Sequence, residues 1–519
     1  MEFILVPHHV TDTTATIWVG VQNENGNDRA RRNALSLELH DGAQTTTVEL
    51  DSSGWETWKS YSPGDEARYA WQDRLLDRVL SFLKRPPVIE TLDYRRVTVG
   101  ALKPRTSYSL TLRVDGRAPA GSEKYLREAR VTTLPATLPG QGEKPFTVLL
   151  GSCFYKPNDE EGMVGKTFRH LPENRRPDIK VLCGDQVYLD NPWYETTLRY
   201  NGGNLRRGLF RATLFRKYID NWKQVERDEA GFRQLLKDGA NYFCSDDHEY
   251  WNNAPNFGGI GFINTLSKAQ RSWWRGAARE LFETFQSAQP LARFDVAMPS
   301  EASPRRLSFC VADTRINRSI GRERFMEDED LRAVARWIEG LEGPGVLVVG
   351  QPMLIGEDSA GKPLREDLNR TLWSALDRNL ADYDQYEELV AYVKASAHSV
   401  VVMSGDVHFG RVACVRRSAG SREADFVEII ASPMQLVTVK NKLLQRATRS
   451  FGIYRPPPTH EFAITESRQI APEHNHLVTV EFSSAEEGTV EMTAWSWPVL
   501  EPEEEARPNP VPVFEAVLS

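Results

Sequence analysis

Seven short apolar runs dominate the chain after residue 145: FTVLL (146–150), IKVLC (179–183), NYFC (241–244), LSFCVA (307–312), VLVVG (346–350), SVVVM (399–403) and VEIIA (427–431). They alternate with helical or loop segments. Near-continuous apolar strands need cover on both faces, so this alternation predicts an α/β domain, with helices over 213–226 and 328–341.

The earlier part of the chain reads differently. A length of 519 residues exceeds one ordinary core and calls for two or more domains. Before about residue 135, ATIWVGV (15–21), LSLELH (35–40), YRRVTV (94–99) and SYSLTLRV (107–114) are strand-like runs separated by polar turns, with a final strand over 130–134, which predicts a β-sandwich. Leu102, Pro104, Thr106 and Tyr108 form an L-x-P-x-T-x-Y pattern that resembles the tyrosine corner of immunoglobulin-like and fibronectin type III domains.

Trp71, Leu75, Leu76, Val79, Leu80 and Leu83, closed by Pro86 and Pro87, predict a helical insertion near 65–84. The Pro- and Gly-rich LPATLPGQGEKP (134–145) marks a boundary. The expected organisation is therefore a sandwich over 1–138, a second domain over 145–500 and an acidic, Pro-rich C-terminal tail over 501–519. Within the second domain LVTVEFSS (477–484) and TVEMTAWSW (489–497) read as a hairpin.

Charge and cysteine usage narrow the partners. A net charge of −8 and a pI near 5.8 disfavour a nucleic-acid-binding role, since nothing overall attracts a phosphate backbone. No apolar run approaches membrane-span length, and the start MEFILVPHHV lacks the marks of a signal peptide, so as given the chain reads as cytoplasmic, with a processed secreted form left open. Five cysteines without a CxxC pair argue against a disulfide framework. Cys183, Cys244, Cys310 and Cys414 lie in apolar runs and read as small buried hydrophobes.

The loops that leave these strands carry the chemistry. After FTVLL comes GSCF with Cys153; after IKVLC comes GDQVYLD with Asp185 and Tyr188; after NYFC comes SDDHEYWNN; after SVVVM comes SGDVHF with Asp406 and His408. Ligands of open α/β sheets bind beyond the carboxyl ends of the strands. Carboxylate, imidazole, phenol, thiol and amide groups at four strand ends suit a binuclear metal centre, in which two ions about 3.5–4 Å apart acidify water and steady an in-line displacement. Hydrolysis of a phosphate ester is a reaction such a centre serves.

GSC, GDQVY, DDHE followed by NN, and SGDVH together resemble the motif series of the PhoD-like alkaline phosphatase D family, in the calcineurin-like metallophosphoesterase superfamily, over nearly the whole chain. The resemblance implies a four-layer α/β/β/α metallophosphatase sandwich preceded by a fibronectin type III/Ig-like β-sandwich. It also implies a metal-dependent phosphomonoesterase and/or phosphodiesterase that uses a metal-bound hydroxide on a small-molecule phosphate ester. The binuclear centre would hold Fe3+ plus a divalent ion, Ca2+, Mg2+, Mn2+ or Zn2+.

Residue by residue, the resemblance makes Asp185 the bridging carboxylate, with Cys153, Tyr188 and His408 on the ferric side and Asp247, Asn253 and Asp406 on the oxygen-rich side. His248 would give a proton to the leaving oxygen, and Arg315 of DTRINR would hold the phosphate, unless it serves a structural pairing with Asp313. Asp246 and Glu249 are expected to orient ligands, and Gln351 is either a weak ligand or structural. The competing reading is a non-catalytic scaffold with a degenerate domain, against which the intact Asp185, Asp247, His248, Asp406 and His408 stand.

Overall fold

The computed structural model describes residues 2–519 apart from 24–33, 61–89, 193–203, 227–228, 257–264, 266, 300–303, 355–378, 419, 437–461, 463, 471–473, 486–487, 500–509 and 511. The helix expected near 65–84 and the acidic run 501–509 lie outside the described residues.

Among the described residues, eight strands precede residue 133: β1 (Glu2–Val10), β2 (Ala15–Asn23), β3 (Leu35–His40), β4 (Thr45–Leu50), β5 (Glu56–Lys59), β6 (Thr91–Val99), β7 (Ser107–Val114) and β8 (Glu128–Thr132). They form two antiparallel sheets in the orders β1-β2-β6-β5 and β4-β3-β7-β8. Alternation decides what each face does. Leu5, Ile17, Val19 and Val97 pack in one core with Leu37, Leu39, Leu110 and Leu112, while their neighbours Ile4, Val6, Trp18 and Leu92 point the other way into a helical cluster. Tyr108 is buried and its hydroxyl accepts the Lys103 N–H at 2.8 Å, the tie that the L-x-P-x-T-x-Y pattern predicts.

Beyond the boundary come β9 (Phe146–Gly151), β10 (Ile179–Cys183), β11 (Ala240–Cys244), β12 (Leu291–Met298), β13 (Arg305–Ala312), β14 (Gly345–Val348), β15 (Val400–Ser404), β16 (Gly410–Arg416), β17 (Ala424–Ile430), β18 (Glu466–Ile470), β19 (His476–Ser484), β20 (Val490–Pro498) and β21 (Pro512–Leu518). They build two sheets, ordered β11-β10-β9-β19-β20-β21 and β12-β13-β14-β15-β17-β16-β18. All seven apolar runs are strands, but they divide between the two sheets rather than sharing one. Strands β9, β10 and β11 are parallel in the first, and β13, β14, β15 and β17 are parallel in the second.

The two sheets pack face to face. Val148, Leu150 and Val181 share a core with Phe309, Val346 and Val348, and the rings of Phe146 and Phe309 meet edge-on at 5.9 Å. Helices cover the outer faces. Leu149, Leu182 and Phe243 pack against Phe168, Leu214 and Trp274 of the helices Met163–Arg169, Asn204–Trp222 and Lys268–Phe285. Leu347, Val349 and Val402 pack against Val334, Ile338, Leu389 and Val393 of Asp328–Glu339 and Gln385–Ala395.

Three sequence expectations are corrected. The helix read over 213–226 spans Asn204–Trp222, and the one read over 328–341 stops at Glu339 before Gly340. The segment read as a tail over 501–519 contains β21, whose Phe514, Ala516 and Leu518 are buried and which pairs with β20 at the sheet edge.

Candidate metal centre

The carboxyl ends of the parallel strands in both sheets converge, and the polar loops after β9, β10, β11, β13, β14 and β15 meet there. Glycines let them approach. A Cβ on Gly184, whose φ is +80°, would lie 2.4 Å from the Asp246 side chain, and one on Gly405 would lie 2.3 Å from Ser152 Oγ. Of the ten non-glycine residues with left-handed φ among the described residues, five are expected ligands: Cys153, Asp185, Asn253, Asp406 and His408.

Asp185 lies at the middle of the cluster and is fully buried. Its Oδ2 accepts Cys153 Sγ at 3.3 Å and the Tyr188 hydroxyl at 3.4 Å, and its Oδ1 accepts the His248 N–H at 3.2 Å. The Cys153 thiol also lies 3.2 Å from the Asp406 carbonyl and from Ser432 Oγ. Glu249 ties the surrounding turns together. Its carboxylate accepts the N–H groups of Asp185 at 2.8 Å, Gln186 at 2.7 Å, Val187 at 3.3 Å and Asp246 at 2.9 Å, so it ties together two loops that carry expected ligands.

Around the SDDHE turn, Asp247 Oδ2 accepts the Asn253 N–H at 2.6 Å. The His248 ring stacks on Tyr188 with centroids 4.1 Å apart, and its Nδ1 lies 2.8 Å from Asp190 Oδ1. Asp190, which sequence reasoning missed, is fully buried and also accepts the Asn252 N–H at 2.8 Å. It lies within the quoted GDQVYLD motif, but its partner is 58 residues away, so no local pattern marks it.

On the other sheet, Asp406 Oδ2 accepts Gln351 Nε2 at 2.9 Å, and Gln351 Oε1 accepts Arg318 Nη2 at 2.8 Å. Gln351 thus orients Asp406. Arg315 lies behind the carboxylates, with its side chain 1% exposed, Nε on Asp246 Oδ1 at 2.7 Å and Nη1 on the Ala254 carbonyl at 2.6 Å. The guanidinium thus makes a structural pairing, the alternative to the expected phosphate clamp, with a partner other than the expected Asp313. Asp313 takes the Arg315 backbone N–H, at 2.8 Å, while the guanidinium goes to Asp246, so Asp246 replaces Asp313 as the acid that Arg315 serves.

The electrostatics are those of a buried, anion-rich cluster. Burial, joined by Asp246 and Glu249, pushes the Asp185 carboxyl up to about 7 against the pull of His248. Burial likewise drives the Cys153 thiol and the Tyr188 phenol well above their ordinary ranges, helped by neighbouring carboxylates. His408 is held down to about 4 by burial and by His248, which leaves a neutral imidazole. His248 goes the other way. Burial opposes its charge, but Asp190, Asp247 and Asp185 outweigh burial and hold its proton.

The donor sets fit metal ions. Ligand atoms of Cys153, Asp185 and His408, of Asp185, Asp247 and His248, and of Asp185, Asp246, Asp247 and Asp406 lie within 4.8 Å of one another in each group. All three groups share Asp185. One side combines thiol and imidazole; the other is carboxylate only, which separates a softer from a harder position.

The architecture has a counterpart among solved structures. The fold is similar to that of PhoD over 99% of this chain and 88% of that one, with a TM-score of 0.53 and 12% identity. GAP50, the anchor in the inner membrane complex of Plasmodium, is similar over 71% of this chain and 88% of its own, with a TM-score of 0.36 and 10% identity. No family model and no curated protein matches the sequence. The protein is a mixed α/β chain with a PhoD-like fold, and at this identity the likeness is one of fold. Among the described residues no helix is long and apolar enough to cross a membrane.

Proposed function

We propose that the protein is a metal-dependent phosphoric ester hydrolase acting on small phosphomonoesters, phosphodiesters or both. The observation that carries this reading is Asp185, one carboxylate common to three donor groups, with an imidazole held beside it by a buried acid. The PhoD-like fold supports it. In this reading the sheet pair and its helices form the four-layer α/β/β/α catalytic domain over 145–500 together with β21, and the two N-terminal sheets form a fibronectin type III-like sandwich over 1–138.

Cys153, Tyr188 and His408 would hold Fe3+ with Asp185, while Asp247, Asn253 and Asp406 would hold a harder ion, Ca2+, Mg2+ or Mn2+, with Zn2+ less suited to the all-oxygen set. When bound, such ions acidify water and neutralise charge on the ester oxygens. The chain's own residues do the rest. Asp190 fixes His248 through Nδ1, which leaves Nε2 to deliver its proton to the departing alcohol oxygen. Glu249 and Gln351 keep Asp185 and Asp406 aimed, and Arg315 offsets the charge of Asp246.

Elemental analysis of purified protein, with hydrolysis of aryl phosphate mono- and diesters before and after chelation, tests the proposal. Bound iron with a second ion, and turnover lost with them, is the expected result. A folded protein that neither retains nor takes up metal overturns it.

A further inference from the structure

A buried polar chain joins the N-terminal sandwich to the loop that carries Asp185. In β2 the fully buried Trp18 donates from Nε1 to the Thr284 carbonyl at 2.8 Å, and in β6 Arg96 donates to the same carbonyl at 3.2 Å and to that of Glu283. These carbonyls end the helix Lys268–Phe285, whose next residue, Gln286, donates its N–H to the Phe282 carbonyl at 2.8 Å.

The Gln286 side chain then crosses to the loop. Its Nε2 donates to Gln186 Oε1 at 2.8 Å, and its Oε1 accepts the Tyr218 hydroxyl at 2.8 Å. Gln186 donates Nε2 to the Gly184 carbonyl, and its own carbonyl accepts Asn221 Nδ2 at 2.6 Å. Both glutamines are fully buried, beside an apolar cluster that includes Trp18, Tyr218, Trp222 and Phe285.

Amides in such surroundings cost free energy unless their groups are matched, and here both ends of both amides are engaged. Apolar side chains would fill the space with less desolvation. What the amides supply instead is direction, because together they fix the Gly184 carbonyl and Gln186 on either side of Asp185, whose φ is +60°. We propose that Gln286 is a positioning residue for the metal loop, and that through it the N-terminal sandwich forms part of the framework that presents Asp185. The inference rests on the reading of Asp185 as a metal ligand.

The test compares Gln286→Met with Asn241→Leu. Asn241 is also a buried amide at the junction with the sandwich, bonded to the Pro7 carbonyl at 2.7 Å and the Leu236 carbonyl at 2.8 Å, away from the loop. Mn2+ binding is measured by calorimetry on the full chain, and amide hydrogen exchange is followed over 184–187 without metal. Gln286→Met is expected to weaken Mn2+ binding 10- to 100-fold, the range usual for residues that orient ligands, and to speed exchange of the loop. Asn241→Leu is expected to change neither.

Trp18→Phe keeps a ring and removes only the N–H, and should shift both readouts the same way by a few-fold even if Gln286→Met folds poorly. Unchanged Mn2+ binding and unchanged exchange in folded Gln286→Met overturn the inference, as does an equal loss in Asn241→Leu. If the wild-type chain neither retains metal nor takes up Mn2+ or another divalent ion, the metallohydrolase reading fails, and the exchange comparison still decides whether Gln286 holds the loop.

Discussion

Replacing Glu249 by Gln should loosen the loop that carries Asp185, and the SDDHE turn with it when the amide nitrogen takes the Oε2 position. Glu249 Oε2 accepts the N–H groups of Asp185 and Asp246, and Oε1 accepts those of Gln186 and Val187. Gln keeps one acceptor oxygen and turns the other position into an NH2 group, so two of the four buried donors lose their partner. A buried donor left without an acceptor costs about 1–3 kcal/mol, which gives about 2–6 kcal/mol for the pair. At about 1.4 kcal/mol per decade, local protection from exchange should fall between roughly thirtyfold and ten-thousandfold.

Hydrogen exchange of metal-free protein, read on peptides covering 184–187 and 245–249, measures this directly. The 184–187 peptide should lose protection in Glu249→Gln whichever oxygen becomes NH2, because each oxygen serves at least one of its amides, and the 245–249 peptide should follow when that oxygen is Oε2; the β15 peptide should not change. A change below about fivefold over 184–187 would refute the view that this carboxylate holds the Asp185 turn.

Asp185→Asn should lower both bound metal and turnover, while His248→Ala should keep the metal and slow release of the alcohol; equal metal loss in both, read by elemental analysis, contradicts the division of roles. Tyr188→Phe should abolish any visible phenolate-to-iron absorption, so colour that survives the substitution removes Tyr188 from the ligands. Arg315→Met should cost about 3–5 kcal/mol of stability, because it leaves Asp246 buried beside its lost partner; a stable variant with only a raised KM for aryl phosphates would restore the clamp. His9, stacked on Tyr242 at 4.9 Å, is held down to about 4 by burial and by Arg96. An unfolded His titrates near 6.5, so between pH 6.5 and 4 only the unfolded chain takes up the proton and stability falls with pH, by up to about 3 kcal/mol. Melting curves of His9→Phe between pH 7 and 4 should be flatter than wild type, and identical curves would refute the assignment.

The fold was legible where burial leaves a local mark. Strands such as β10 and β15 are buried at every residue, and their composition announces it. Which strands share a sheet is a pairing between distant segments, so the division of the seven runs into two sheets left no trace in periodicity. Strand β4 was missed because TTTVEL is an edge strand exposed over most of its length, and β21 because Pro512 and the acidic run before it read as a tail. The helix Lys268–Phe285 did carry a local signal, the Ser267–Gln270 capping box, although its span was not among the expected helices.

For the site, residue types at strand ends sufficed to bring Cys153, Asp185, His248, Asp406 and His408 to one cluster, but not to assign Asp190 or to find the acid that Arg315 meets, since both rest on partners more than fifty residues away. Backbone conformation was the other hidden part. Local rules favour Gly, Asn, Asp or His at left-handed φ, and Asp185, Asn253, Asp406 and His408 comply, whereas Cys153 at +56° does not. Glycine there would relieve strain and remove the donor. The Cys153 strain is held by long-range bonds, such as its N–H on the Gly184 carbonyl at 3.4 Å. A thiol kept against backbone preference, where its donor meets those of Asp185 and His408, is better explained by an ion it would hold than by how the chain turns.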